Sequence, residues 1–312
     1  PGIPAGYEAA FGQVWHNHVA AQLTLPAPQL VEMDCNIGVK GKGFEYIFGR
    51  GKGLVSIRYN GVQLLDDTVR PNFWRAPTNN DEGCAEPFAF AFWKTAGLYA
   101  RCDHLTAETR GEFVTVRAVY TLPDGQTLPI EFAIDGAGRC DITMTWQGER
   151  AEVPELGLLF PLRRELTEVS YLGLGPRETT ADRTTGGKMG AWSYNVRQDF
   201  AQNTPVYPQE CGSRTGVYRA ALTGRDTEMP GIRFASDDGM TFSALPYTPH
   251  ELENARHLYE LPRDDNKTVV RCAAFQRGVG GDNSWGAKPH EAACFAVEKG
   301  MTFSFSIQKQ NG

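Results

Sequence analysis

The residues of this chain best suited to chemistry lie in a short glycine-rich segment near its C-terminus. The segment reads Gly278-Val-Gly-Gly-Asp-Asn-Ser-Trp285-Gly286. Its glycines permit positive φ and close backbone approach, and Asp282, Asn283 and Ser284 hydrogen-bond locally and hold tight turns. A loop of this kind presents Trp285 as a flat, rigid face, and an indole face can stack on the apolar face of a sugar ring. The alternative is a Trp that fills the loop, and these residues by themselves leave both open.

A second polar segment lies far upstream, between Leu64 and Gly83. It contains two prolines, two arginines and the cluster Asn79-Asn-Asp-Glu-Gly83. This composition is typical of irregular backbone that is dense in side-chain hydrogen bonds, so we predict a loop. The cluster is weakly similar to a calcium-binding loop but lacks the downstream bidentate Glu, so no metal is expected there.

Four blocks of sequence together resemble one family. They are Asn72–Asp81, Tyr171–Glu178 followed by Asp182 and Arg183, Leu252–His257 with Glu260 and Leu261, and Gly278–Gly286. In this order the blocks resemble the C-terminal domain, also called the fifth or small-chain domain, of the β-galactosidases of glycoside hydrolase family 2. The resemblance extends over residues 30–312.

The resemblance implies supporting roles for a few residues. Trp285 matches a Trp that reaches into the active site and stacks on the aglycone of the substrate, and Asp282, Asn283 and Ser284 flank it. Gly83 matches the start of a mobile loop at the same cleft, shortened here through Cys84–Pro87. We therefore predict a substrate-binding set of Trp285, Asp282, Asn283, Ser284 and Gly83. Arg75 and Asp81 are expected to form an ion pair beneath that loop.

The resemblance also implies where catalysis does not occur. Retaining hydrolysis uses two carboxylates about 5–5.5 Å apart, and in this family both belong to a TIM-barrel domain that precedes this one. We expect no catalytic residue in this chain and assign Asp282 to the loop structure. No cofactor is expected here, although full enzymes of the family often use Mg and Na. The expected partners are a β-galactoside, the other domains of a longer chain, the TIM barrel above all, and further copies in a homo-oligomer.

Composition excludes several other classes of partner. The net charge of −6 and the dispersed basic residues disfavour nucleic acid and anionic membranes. Short apolar runs predict no transmembrane segment. The seven cysteines show no CxxC pair and are typical of core residues in a reducing compartment, which favours the cytoplasm and leaves the periplasm open. The missing initiator Met leads us to expect part of a longer protein.

The pattern of hydrophobic residues predicts an all-β fold. Apolar residues alternate over Val114–Tyr120, Leu128–Ile134 and Ile142–Trp146, with Pro-Asp-Gly and Asp-Gly turns between them, which predicts an antiparallel meander. Asn60-Gly61 predicts a further hairpin. One helix is expected over Ala85–Ala96. We infer two large antiparallel sheets packed face to face, with at most one or two short helices, and the family resemblance refines this to the supersandwich of galactose mutarotases.

The sequence predicts two regions and leaves two other functions open. Residues 1–25 resemble the end of an immunoglobulin-like domain with its linker, and residues 26–312 form the predicted supersandwich domain. One alternative function is a free-standing mutarotase or epimerase, with His257 and either Glu260 or Glu253 as the acid and base on the concave sheet. The other is a carbohydrate-binding module, for which several exposed aromatic residues in a row would be expected.

Overall fold

The computed structural model describes residues 12–13, 25–225, 228–262, 266–283 and 286–310. Nineteen strands lie in these ranges: β1 (Gln29–Glu32), β2 (Asn36–Gly41), β3 (Phe44–Gly49), β4 (Gly53–Tyr59), β5 (Val62–Gln63), β6 (Arg70–Asn72), β7 (Arg101–Arg110), β8 (Phe113–Thr121), β9 (Thr127–Asp135), β10 (Cys140–Thr145), β11 (Ala151–Glu152), β12 (Glu155–Arg163), β13 (Leu166–Gly175), β14 (Lys188–Asn195), β15 (Ser213–Gly224), β16 (Gly231–Leu245), β17 (Lys267–Gln276), β18 (Ala296–Val297) and β19 (Thr302–Gln310).

Helical segments are short and connect the strands. The described residues contain five α-helices, α1 (Asn79–Gly83), α2 (Glu86–Ala89), α3 (Ala91–Ala96), α4 (Val196–Asn203) and α5 (Pro249–Asn254), and two 3-10 turns, Leu258–Glu260 and Glu291–Ala293.

Two antiparallel sheets contain most of the strands. β1 to β5 form a five-stranded sheet in sequence order, and a second sheet of twelve strands runs from β14 at one edge to β7 at the other. Within the larger sheet the long strand β16 pairs with β19 through one half and with β17 through the other. The sheet therefore branches, and one branch continues through β17 to β12 and β6.

Alternating inward side chains join the two sheets into one core. Phe48 of the small sheet packs on Phe132 of the large sheet with ring centroids 4.9 Å apart. The Tyr46 hydroxyl donates to the carbonyl of Gly138 over 2.8 Å, and the two tyrosine hydroxyls of Tyr46 and Tyr59 are hydrogen-bonded at 2.8 Å. The four aromatic side chains are fully buried, and Gly138 is buried as well. Buried polar groups are thus hydrogen-bonded where the sheets meet.

The predicted fold class is confirmed, and its strands are where alternation placed them. β8, β9 and β10 form the predicted meander, with Val116 opposite Phe132 and Ile142 also opposite Phe132 from the other side. The Asn60-Gly61 turn has positive φ at both residues, 51° and 82°, as a type I′ hairpin requires.

Helix content is the main difference from expectation. Five short α-helices occur in the described residues where at most one or two were expected, and the helix predicted over Ala85–Ala96 is divided at Phe90 into α2 and α3. The segment Leu64–Gly83 was predicted to be irregular throughout, but it contains β6 and α1. β6 tolerates Pro71 because it is an edge strand that pairs with β12. Most of residues 1–25, assigned to a separate domain, lies outside the described residues.

Candidate functional site

Strand pairing brings two distant segments to one end of the large sheet. β6 and β17 both pair antiparallel with β12, and Asn72 lies opposite Gly157 while Gln276 lies opposite Glu155. Because β6 and β17 therefore run in the same direction, the residues that follow Asn72 and Gln276 leave the sheet at the same end. The first family block thus meets residues 278–283, which we call the glycine loop.

Arg75 fixes the start of the glycine loop. Its guanidinium donates to the carbonyl oxygens of Arg277 and Gly278 at 3.2 and 2.7 Å and forms a two-point contact with Asp81 at 2.5 and 3.0 Å. Arg75 and Asp81 are both buried. Burial by itself would raise the pKa of the Asp81 carboxyl, but the adjacent Arg75 and its hydrogen bonds lower that pKa overall. The predicted ion pair is confirmed, and it holds the loop directly.

Asp182 of the second family block holds the next two residues. One of its carboxylate oxygens accepts from the backbone N–H groups of Val279 and Gly280, each at 2.8 Å. The Thr180 hydroxyl donates to the other oxygen over 2.7 Å. Hydrogen bonds to an ionised acceptor are stronger than neutral ones, so this carboxylate fixes the loop backbone firmly.

Helix α1 and its capping residue also contact the glycine loop. Thr78 caps the helix through a capping box with Asp81, and its hydroxyl also donates to the Val279 carbonyl at 3.3 Å. The Asn80 amide donates to that carbonyl at 3.4 Å. The polar cluster that we compared with a calcium loop is therefore a helix whose carboxylate, Asp81, is engaged by Arg75.

Glycines are required here mainly for close approach. A β-carbon at Gly278 would lie 2.7 Å from a carboxylate oxygen of Asp182, and one at Gly281 would lie 2.1 Å from the Ala287 carbonyl oxygen. Positive φ, which we expected across the loop glycines, is found at Gly286, at 96°. Close packing thus explains Gly278 and Gly281 of the loop, and backbone conformation explains Gly286, which follows the loop in the sequence.

The predicted site residues are brought together only in part. A β-carbon at Gly286 would lie 3.0 Å from the carbonyl oxygen of Gly83, so the two segments are neighbours. Asp282 lies at the exposed end of the loop, where its carboxylate contacts the ring nitrogen Nε2 of His290 at 2.8 Å. Asn283 is exposed as well. Ser284 and Trp285 lie outside the described residues, so their predicted roles stay predictions.

The short connection after Gly83 is tethered. Cys84 and Ala85 lead into α2, where the buried Glu86 pairs with Arg277 at 2.7 Å. Arg277 directly precedes the glycine loop, so α2 and the loop share one buried ion pair. Ala85 has a φ of 60°, which is strained for a residue with a side chain.

A buried ionic cluster beneath the loop was missed by sequence reasoning. Arg271 contacts Glu155 at 2.7 Å and also pairs with Glu210, while Gln276 donates to both carboxylates at 3.0 and 3.1 Å. Glu210 in turn accepts from the backbone N–H of Ala76 at 3.3 Å. Burial raises the pKa of the Glu155 carboxyl to about 7, although Arg271 acts in the opposite direction. A sequence signal existed, since Arg271 interrupts the apolar run from Val269 to Phe275.

The third family block has a structural role. The Glu253 carboxylate accepts from the indole nitrogen of Trp74 at 2.9 Å and pairs with Lys94 at 2.8 Å. His257 and Glu260 form an exposed contact of 3.3 Å on a 3-10 turn. These three residues were the candidate acid and base of a mutarotase on the concave sheet. The placement is wrong, because α5 and the turn that carry them lie outside the strands.

A polar cleft of about 340 Å³ opens beside the glycine loop. Val279 and Asn80 form one wall, and Gln209 and the Glu178–Arg183 ion pair form others. Glu178 also accepts from the backbone N–H of Gly212 at 2.5 Å, so the cleft has a fixed frame.

Comparison with known proteins identifies the family. The β-galactosidase small chain family matches residues 40–307, and the chain belongs to it. It is 36% identical over 287 residues to a β-galactosidase of Lactobacillus delbrueckii subsp. bulgaricus, which covers 90% of this chain and 28% of that protein. It is 33% identical over 315 residues to a β-galactosidase of Streptococcus thermophilus, covering 99% of this chain and 30% of that protein. The chain thus spans less than a third of these relatives.

A shorter relative and a solved structure are also similar to this chain. A β-galactosidase small subunit of Latilactobacillus sakei is 31% identical over 308 residues, covering 88% of this chain and 95% of that protein. A galactose mutarotase related enzyme from Lactobacillus acidophilus superposes with a TM-score of 0.44 at 8% identity, covering 91% of this chain and 97% of that one.

Two general properties accompany these findings. In the part of the chain that the structure describes, every helix is too short or too polar to cross a bilayer. All seven cysteines lie in the described ranges, and each is a free thiol.

Proposed function

We propose that this chain forms the C-terminal part of an enzyme that hydrolyses terminal β-D-galactosides with retention of configuration. Family membership supports this proposal, as do the β-galactosidases that match it and extend well beyond the matched region. The nucleophile and the general acid belong to the rest of that enzyme, as the family resemblance implies. The partners of this chain are those other domains or subunits, further copies in an oligomer, and the galactoside.

The clamped glycine loop is the observation that carries the proposed role. Arg75 and Asp182 fix residues 278–280 on one side, and Gly286 abuts Gly83 on the other. Trp285 belongs to the short stretch between these two anchors. We propose that these contacts hold the loop so that the Trp285 indole faces the leaving-group side of the substrate. There the indole stacks on the apolar face of the sugar.

Neither a metal nor the catalytic pair is assigned to this chain. Within the described residues, the His, Cys, Asp and Glu side chains form no group of three or more that could hold a metal ion. As the family resemblance implies, we propose that the Mg and Na associated with the family belong to the rest of the enzyme. The free cysteines support a reducing compartment, with the cytoplasm favoured over the periplasm.

The test compares three proteins: the intact enzyme, a version that lacks residues 26–312, and residues 26–312 alone. The intact enzyme is expected to release the chromophore from an aryl β-galactoside, and residues 26–312 purified from a host without β-galactosidase are expected to give no release above buffer. Re-addition of the domain to the truncated enzyme should restore turnover. Release by the isolated domain, lost in Asp282→Asn, would overturn the assignment of catalysis to the rest of the enzyme.

A further inference from the structure

We propose that the polar cleft beside the glycine loop is a subsite for the sugar units of the leaving group that lie beyond the one contacted by Trp285. This inference rests on the proposed function and extends it from disaccharides to longer galactosides. The cleft measures about 340 Å³, which is within the size range of small-molecule sites.

Position is the first support for this subsite. Val279 lines the cleft and lies three residues before Asp282 in the glycine loop. Asn80 lines the cleft as well and donates to the Val279 carbonyl. Helix α1, which contacts the glycine loop through Asn80, therefore forms a wall of the cleft together with Val279. The cleft is therefore bounded by the loop that precedes Trp285 in the sequence, and a substrate bound near that loop would have the cleft beside it.

Chemistry is the second support. The side chains of Asn79, Asn80 and Gln209 each offer both a donor and an acceptor, and the Glu178–Arg183 pair adds charged groups at the wall. Most ligand sites are lined by apolar side chains, whereas this one is dominated by amides and charges. Such a lining matches a ligand covered with hydroxyl groups, each of which is also both donor and acceptor. A neutral oligosaccharide fits this description.

The state of the amides is the third support. The contacts between Asn79 and Gln209 are long, 3.4 Å from the Asn79 backbone N–H and 3.5 Å between the two side-chain amides. Hydrogen bonds of this length are weak, so a sugar hydroxyl can replace them at little cost. Glu178, by contrast, is held by Gly212 and Arg183 and keeps the wall in place.

The experiment uses the intact enzyme and three substrates: an aryl β-galactoside, lactose, and a β-galactosyl-terminated trisaccharide. Asn79→Ala and Gln209→Ala should each raise KM for the trisaccharide about threefold to tenfold more than KM for lactose, because each removes hydrogen bonds made only to the third sugar. Gln209→Trp should have the same selective effect by filling the cleft. Gln202→Ala is the matched control, since Gln202 is an exposed glutamine of α4 that does not line the cleft.

The outcomes separate this inference from the proposed function. If the intact wild-type enzyme hydrolyses none of the three substrates, the proposed function itself is contradicted. Wild-type hydrolysis of all three, with equal changes in KM for lactose and trisaccharide in all three cleft variants, overturns the subsite alone. A uniform loss across substrates with a lowered melting temperature assigns the cleft to packing against the rest of the enzyme and also overturns it.

Discussion

Contacts between a nitrogen-bearing side chain and a carboxylate lie at the two ends of the glycine loop, in opposite surroundings. At its base, the side chains of Arg75, Asp81, Arg277 and Glu86 are 3–5% exposed. At its tip, those of His290 and Asp282 are 72% and 78% exposed. A buried pair becomes costly when one partner is lost, whereas an exposed pair contributes little. The base is therefore suited to hold a position, and the tip is free to adapt to whatever binds there.

The largest effect should come from breaking the base. In Arg75→Ala the buried Asp81 carboxylate loses its partner and two loop carbonyls lose their donor, so we expect a loss of about 3–5 kcal/mol in the free energy of unfolding. Urea denaturation measures this loss. Arg117→Ala is the control, because Arg117 makes a 4.0 Å contact with Glu131 at an exposed position. A loss below about 1 kcal/mol for Arg75→Ala would contradict the contrast drawn between base and tip.

The ionic cluster beneath the base should make stability depend on pH. The Glu155 carboxyl has an ordinary pKa of 4.5 when unfolded and a pKa of about 7 when folded, so the folded chain binds this proton more tightly. Its contribution therefore decreases as pH rises from 4.5 to 7 and is constant above that. At about 1.4 kcal/mol per pKa unit, the decrease is roughly 3 kcal/mol.

Comparison of the wild type with Glu155→Gln isolates this effect from all other titrating groups. The free energy of unfolding of the variant minus that of the wild type should rise between pH 4.5 and 7, because Gln cannot lose a proton. Chemical denaturation at four pH values between 4.5 and 8 gives this difference. A difference that stays constant with pH would show that Glu155 is ionised throughout and that Arg271 outweighs its burial.

The sequence predicts those parts of the molecule that local chemistry determines. Alternation with a period of two placed β8, β9 and β10, and Asn60-Gly61 placed its hairpin, because only a few residue types accept two successive positive φ angles. Helix α1 had a local signal too, since Thr78 and Asp81 have the spacing of a capping box. Neighbouring prolines and arginines concealed it.

The buried pairs could not be predicted from spacing. Arg271 meets Glu155 across 116 residues, and Arg75 meets Gly278 across 203. Only the register of β6 and β17 on β12 decides that these residues meet. The Arg75–Asp81 pair was predicted because the family resemblance implied it, and the contact of Arg75 with the loop was not.

Substrate binding should test the predicted role of Trp285. In the intact enzyme, Trp285→Ala should raise KM for lactose about tenfold, because stacking beyond simple burial contributes roughly 0.5–1.5 kcal/mol and buried area adds to it. An interaction made equally in the ground and transition states changes KM more than kcat. Steady-state kinetics on lactose and on substrates with progressively smaller leaving groups should show the effect decreasing with leaving-group size. A wild-type KM for lactose, or a uniform loss with a lowered melting temperature, would make Trp285 a structural residue.

The smallest effect should come from the exposed pair at the tip. Asp282→Asn keeps the shape and one hydrogen-bonding oxygen but removes the charge that faces His290. Because both side chains are mostly exposed, we expect a change below about 1 kcal/mol in the free energy of unfolding, and a change in kcat/KM of the intact enzyme of no more than about fivefold. Thermal denaturation and kinetics on an aryl β-galactoside measure the two quantities, and His290→Ala should match them because it breaks the same contact. If Asp282 instead acted as an acid in the reaction, kcat would fall by at least about a hundredfold in Asp282→Asn and remain near the wild-type value in His290→Ala. The two variants together therefore distinguish a carboxylate that shapes the loop from one that transfers a proton.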